Sequence, residues 1–248
     1  MKSMLICEGS TDSVLIQYFM RNTYQWEDTR ESFLISKKFK TFRVLKKEER
    51  LLCIGGSGGA SRILEKFGYM LELNSLAADE EEYNKIVILT DRDEVDTEAE
   101  FCTKIRDMMS ERHVQTQQEI KNNEWIHCHM QNGQKKEITV DILLLVIPFE
   151  ETGAMETFLL KAIAENDPYD AQLICQSNQF VESVDPKKRY LINEDILLRQ
   201  NLMYFFQLGL LQSSLWNGRT YSEVCHGRSI RRYRNVSKNL RIFKRTER

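Results

Sequence analysis

The stretch Ile86–Asp96, IVILTDRDEVD, decides the fold. Four apolar residues, Ile86 to Leu89, run without interruption into Thr90, Asp91 and Asp93. A short continuous apolar run before a polar turn reads as a strand buried on both faces of a parallel sheet. Sheets of that kind place ligands at the carboxyl ends of their strands. Residues two apart on a strand point to the same side, so Asp91 and Asp93 share one space if the extended backbone continues through Arg92. Two carboxylates held together repel unless a cation lies between them, and Mg²⁺ or Mn²⁺ meets that need. The plainer reading is a charged turn, because aspartate favours turns.

A second stretch raises the odds of a site. Met4–Met20 reads MLICEGSTDSVLIQYFM. Met4 to Cys7 is another short strand, and Glu8-Gly9 follows directly. Ser10 or Thr11 can cap a helix of roughly 11–22, with Val14, Leu15, Tyr18 and Phe19 at helical spacing. Asp12 falls in the first turn, where the helix dipole favours an acid whatever its function. Glu8 has no such excuse. It stands after a buried strand and caps nothing.

Glu8-Gly9, with Asp91-Arg92-Asp93 later in the chain, resembles the Toprim family. The form Glu8-Gly9-Ser10-Thr11-Asp12 is most similar to the overcoming-lysogenization-defect (OLD) nucleases and small stand-alone Toprim proteins. Ile147–Leu160, IPFEETGAMETFLL, supplies a third match, a Gly-x-x-Glu after a late strand. The resemblance implies Glu156 as a further metal ligand, with Glu150 and Glu151 as competitors. Without it, Glu156 is a capping-box acid three positions after Gly153. The match covers about residues 1–165. No glycine follows closely on the Asp pair, which argues against the primase and topoisomerase branches.

The chain has 248 residues, enough for one well-buried domain with an appendage. A hydrophobic share of 42% and a charged share of 29% describe a globular chain rather than a disordered one. The net charge of −2 excludes bulk attraction to polyanions. Local charge is uneven, with acid at Asp79–Glu82 and Asp91–Glu100, and base at Lys37–Arg50 and in the tail. Cys7, Cys53, Cys102, Cys128, Cys175 and Cys225 form no C-x-x-C pair and mostly lie in apolar runs. We read them as reduced thiols of a cytoplasmic protein without disulfides or structural zinc. His127 and His129 share a strand face, for which an ordinary surface is the plainer reading than zinc. The first residues lack a signal-peptide pattern, and no apolar run is long enough to span a bilayer.

Further along, Ser32–Leu45 mixes aromatics with Lys37, Lys38, Lys40 and Arg43. It fits either a nucleic-acid contact or an edge strand guarded by lysines. Arg50–Ile54, the glycines 55–59 and a helix at 60–73 form a strand, glycine turn and helix. Ala60-Ser61-Arg62 breaks the P-loop pattern, and Ser61 breaks the dinucleotide pattern. The glycines then serve either an anion at a helix N-terminus or a sharp turn. The spacing predicts a helix at 97–112 and a hairpin of Trp125–Met130 with Glu137–Val146 across Asn132-Gly133. Asn166–Tyr190 is polar, with Pro168 and Pro186 marking a break. Leu191–Leu211 reads as a long apolar helix. The tail carries Arg228, Arg231, Arg232, Arg234 and Arg241, a set suited to phosphate pairing.

The expectation is an α/β fold: a mostly parallel central sheet flanked by helices over 1–165, and a small helical appendage with a basic tail over 166–248. The resemblance implies a Mg²⁺- or Mn²⁺-dependent nuclease acting on DNA or RNA. Glu8, Asp12, Asp91, Asp93 and Glu156 would hold metal. Lys188 is the candidate catalytic lysine, because OLD-type nucleases place one downstream of the late acidic motif. The chain has no Walker motif, so the resemblance also implies a separate ATPase partner and a role in anti-phage defence; a homo-oligomer is compatible with it. No Ser/His/Asp or Cys/His constellation suggests a nucleophilic enzyme. The competing class is a non-enzymatic subunit that binds nucleic acid or a partner protein. A phosphoacceptor receiver domain fits the Glu-Gly opening poorly.

Overall fold

In a computed structural model, residues 1–184 and Lys187 are described. They form an α/β structure in two compact units, Met1–Thr152 and a second that begins at Gly153. The first unit holds a seven-stranded mixed sheet. Its strands are β1 (Lys2–Cys7), β2 (Glu27–Asp28), β3 (Thr41–Lys47), β4 (Arg50–Gly56), β5 (Lys85–Asp91), β6 (Trp125–Gln131) and β7 (Glu137–Ile147). Their order across the sheet is β2-β3-β4-β1-β5-β7-β6. The four central strands, β4, β1, β5 and β7, run parallel. Antiparallel strands flank them on each side.

Every residue of β5 is buried, as the unbroken apolar run at its centre predicts. β6, near the edge, alternates instead: Ile126, Cys128 and Met130 face in, while His127, His129 and Gln131 face out. The exposed histidines pair across the hairpin with carboxylates, His127 Nδ1 with Asp141 Oδ1 at 2.6 Å and His129 Nδ1 with Glu137 Oε1 at 3.3 Å. Beyond the end of β6, Asn122 continues the edge of β7. Its side chain donates to the Val146 carbonyl and accepts from the Val146 N–H.

Three helices complete the unit: α1 (Ser10–Tyr24), α2 (Ala60–Leu76) and α3 (Thr97–Glu111). Ile63, Phe67, Met70 and Leu71 of α2, with Phe101, Ile105 and Met109 of α3, pack in one core with Met4, Ile6, Ile86 and Ile88. α1 lies on the other face, where Ser13 meets Cys7. α1 is capped by Gly9, not by Ser10 or Thr11. A single 3₁₀ turn, Leu34–Lys38, and β3 occupy the aromatic and basic stretch, with β2 as the edge strand beside it.

The second unit contains α4 (Met155–Asn166) and α5 (Pro168–Val184), which pack on each other. Ala154 rather than Gly153 caps α4, and the Thr157 hydroxyl accepts the Ala154 N–H. Pro168 marks the expected break, which falls between α4 and α5. It opens α5, where its missing N–H would have no helical partner. The expected helix at Leu191–Leu211 lies outside the described residues. Cys7, Cys53, Cys102, Cys128 and Cys175 are free. No helix among the described residues is long and apolar enough to cross a membrane.

The β1–β5 centre carries the packing of both neighbours, and Ile88 is fully buried there. Ile88→Ala should destabilise the protein by about 2–5 kcal/mol in chemical denaturation. The same truncation at exposed Leu76 should stay within about 0.5 kcal/mol.

Candidate functional site

The order of the strands creates a crevice between β1 and β5. The chain leaves β1 toward β3 and β4 on one side, and leaves β5 toward β7 on the other. Adjacent parallel strands whose connections diverge in this way open the site at which doubly wound sheets bind ligands. Glu8 follows β1 at that point, and Asp91 ends β5.

The two strands are stitched together by the Glu8 carboxylate. Ile6 lies opposite Ile88, so Glu8 falls level with Thr90. Thr90 Oγ1 donates to Glu8 Oε1 at 2.8 Å, and the Asp91 N–H donates to the same oxygen at 3.1 Å. Behind Glu8, the glycine loop holds its backbone. The Gly58 and Gly59 N–H groups donate to the Glu8 carbonyl at 2.7 and 3.1 Å, and the Ser57 N–H donates to the Cys7 carbonyl at 2.8 Å. Gly58 and Gly59 have φ of +89° and +133°, which glycine alone adopts readily. A Cβ on Gly56 would lie 2.4 Å from Thr41 Oγ1 and 2.8 Å from the Gly9 carbonyl oxygen. The loop that resembled an anion cradle therefore directs those N–H groups at the chain itself.

Asp12 turns back over the same turn, its Oδ2 accepting the Gly9 N–H at 2.8 Å. Asp91 is buried and Asp93 exposed. Arg92, between them, turns away and is buried. It donates to the carbonyls of Pro148 and Phe149 at 2.7 and 2.8 Å, and pairs with Glu98 at 2.5 Å. That clamp ties the end of β5 to the segment after β7.

The acids feel one another. Burial raises the Glu8 pKa, and the charges of Asp93 and Asp12 raise it further, against the opposing hydrogen bonds from Thr90 and Asp91. Cys7 is pushed up to about 12, chiefly by burial; Asp12, Glu8 and Asp91 add to this, and the Ser13 hydrogen bond opposes it. Its thiol therefore stays protonated and is no nucleophile.

Glu8, Asp12, Asp91 and Asp93 thus gather at one crevice. Among the described residues no group of three or more His, Cys, Asp or Glu side chains is placed to hold a metal ion as the side chains stand. Glu156 lies in the first turn of α4, in the second unit, and is buried. Lys188, Arg228, Arg231, Arg232, Arg234 and Arg241 lie outside the described residues. Sequence reasoning did not find Thr90, the Gly58 and Gly59 amides or Arg92. For Thr90 the usable signal was register: aligning the two apolar runs places it beside Glu8.

The profile of the family described as "Protein of unknown function (DUF3226)" matches residues 2–195. The chain belongs to this family. A solved structure of the hypothetical protein PH0156 from Pyrococcus horikoshii OT3 shares the family member's fold, with a TM-score of 0.52. It is 17% identical, and the match covers 86% of this chain and 92% of that one. Lactoylglutathione lyase from Agrobacterium tumefaciens aligns at 8% identity and a TM-score of 0.18, over 57% of this chain and 91% of its own. The fosfomycin resistance protein FosX from Listeria monocytogenes aligns at 12% and 0.17, over 59% and 90%. Likenesses that weak carry no argument about fold or chemistry. No curated protein matches the chain.

A carboxyl whose pKa the fold raises stabilises the protein fully at pH below the ordinary glutamate range, and that contribution is lost as pH rises through the raised value. Glu8→Gln keeps an oxygen for Thr90 and the Asp91 N–H without the charge. In EDTA, the melting temperature of Glu8→Gln should therefore gain on that of the wild type as pH rises from about 4 to about 8. A gap between the two that does not change with pH would contradict this.

Proposed function

We propose that this protein is a divalent-metal-dependent nuclease of the Toprim type, which hydrolyses phosphodiester bonds in DNA or RNA. One observation carries the proposal: the Glu8 carboxylate bridges to Thr90 and Asp91 at the diverging β1–β5 crevice, so the two acidic motifs of the Toprim resemblance meet in one place.

The residues suit a hard cation. The donors are carboxylates; burial raises the Glu8 pKa, and the charges of Asp93 and Asp12 add to it. Mg²⁺ commonly binds through one or two carboxylates and completes its shell with water and substrate phosphate, so a preformed protein cage is not needed. Glu8, Asp91 and Asp93 would hold the ion, with Asp12 beside them. When bound, Mg²⁺ or Mn²⁺ neutralises phosphate charge and acidifies water. The protein's own part is positioning. Thr90 and the Asp91 N–H fix one oxygen of Glu8, the glycine loop fixes its backbone, and the Arg92 clamp holds the strand end that carries Asp91 and Asp93. Glu156 and Lys188 are the candidates for a further ligand and a catalytic lysine. The arginines of the tail would contact the nucleic acid. An ATPase partner and a role in anti-phage defence complete the reading that the resemblance implies.

The test is cleavage of labelled plasmid, linear DNA and total RNA by the purified full chain with Mg²⁺, Mn²⁺ or EDTA. Cutting should need the metal and should fall at least about a hundredfold in Glu8→Ala and in Asp91→Ala, a loss of about 2.7 kcal/mol of transition-state stabilisation. Metal-dependent cutting that survives both substitutions would sink the assignment of the site. Binding without turnover under any ion, in the presence of the ATPase, would favour a non-enzymatic binding subunit.

A further inference from the structure

A second site lies at the far edge of the sheet, away from the acids. β2 pairs with β3 over only two residues, Glu27 with Lys46 and Asp28 with Leu45. Past Asp28 the chain leaves the sheet, and a cavity of about 360 Å³ opens between α1, the segment 28–33, the 3₁₀ turn and β3. That volume is at the lower end of small-molecule sites, roughly 300–1,000 Å³.

Its lining is chemically mixed in a directed way. Phe33 and Phe42, each half-buried against the core, leave part of their aromatic surface at the cavity, Gln17, Ser32 and Ser36 provide neutral polar groups, and Arg30 and Arg43 provide charge. Asp28 and Glu31 also line it, but both are already matched. Asp28 pairs with Arg21 at 2.8 Å and accepts from Gln17, and Glu31 pairs with Lys46 at 3.7 Å. With those two acids neutralised by cations around the cavity, Arg30 and Arg43 remain without an ion pair among the described residues. The Nε of Arg43 is shut off from water and has no hydrogen-bond acceptor. A buried donor left without an acceptor is costly, and a guanidinium is best satisfied by two oxygens in one plane, met by Nε and a terminal nitrogen together.

We propose that this cavity binds the phosphate of a nucleotide, with the base against Phe33 and Phe42. Rotation of the Arg43 guanidinium toward the cavity would let its fork meet two phosphate oxygens, and exposed Arg30 lines the same space. The aromatic rings accept any base, because every base offers a stacking face. The nucleotide is either free or part of a strand. Arg43 lies opposite Ile54, which lies opposite Leu5. Two strands across and three residues along the sheet from Glu8 is roughly 14 Å at the usual spacings. The cavity is thus separate from the acidic crevice, and its ligand does not depend on the nuclease reading.

The experiment is isothermal titration of the full chain in EDTA, which removes divalent ions from the acidic site, with AMP, adenosine and a 5′-phosphorylated hexathymidylate. AMP should bind, and adenosine should not. Arg43→Gln and Arg30→Gln should each weaken AMP, hexathymidylate or both at least about tenfold. Arg30 is exposed, so its variant tests the site without threatening the fold. Weakening of both ligands means that free nucleotide and strand share the cavity. Weakening of hexathymidylate alone makes the strand the source of the phosphate, and of AMP alone the free nucleotide. Absence of binding by the wild type, or affinities for both ligands unchanged in the Arg30→Gln/Arg43→Gln double variant, overturns the proposal.

Discussion

The hydrogen bonds that Glu8 accepts from Thr90 and the Asp91 N–H join the ends of two parallel strands at the place where the chain diverges from both. Glu8 is half-buried, and a carboxylate drawn out of water is expensive unless its oxygens are satisfied. Two donors on one oxygen meet part of that cost, and they also set how far Glu8 reaches beyond β1. The neighbouring acids work in the opposite direction. Burial raises its pKa, and the charges of Asp93 and Asp12 add to it, so the crevice is held in shape by its hydrogen bonds while its carboxylates repel.

The rest of the first unit serves that junction. The glycine loop after β4 wraps the Glu8 carbonyl with two backbone amides, and Gly56 must lack a side chain for Thr41 and Gly9 to approach. On the other side, Arg92 reaches from β5 to the carbonyls after β7 and to Glu98. Removing it would take a donor from the Pro148 and Phe149 carbonyls and leave Glu98 with the longer 3.4 Å bond from Asn122. The crevice is therefore bounded on one side by a neutral backbone clamp and on the other by a charged side-chain clamp. Neither clamp donates to the free side of Glu8.

Much of this was legible in the residues. Unbroken apolar runs marked β1 and β5, helical spacing marked α1, α2 and α3, and Asn132-Gly133 marked the β6–β7 hairpin. Those signals are local, and burial on both faces amplifies them. What depended on distant partners was not legible. The glycines at 55–59 suit an anion or a turn equally well until β1 is known to lie beside them. Arg92 looked like one charge in a charged turn, because the carbonyls it meets are more than fifty residues away. Pro168 marked the break between α4 and α5, while polar composition hid the helix that Pro168 opens. Cap positions shifted by a residue or two, to Gly9 and Ala154, because the side chains that bond back to those ends, Asp12 and Thr157, stand three positions inside the helix.

The account rests on the crevice being a cation site organised by Glu8. The most direct measurement is depletion of the free Mn²⁺ electron paramagnetic resonance signal by the full chain, beside Glu8→Gln and Asp91→Asn, without nucleic acid. The account predicts a wild-type site whose affinity falls at least about tenfold in each variant, or ~1.4 kcal/mol. No depletion by the wild type, or depletion equal in all three proteins, would contradict it.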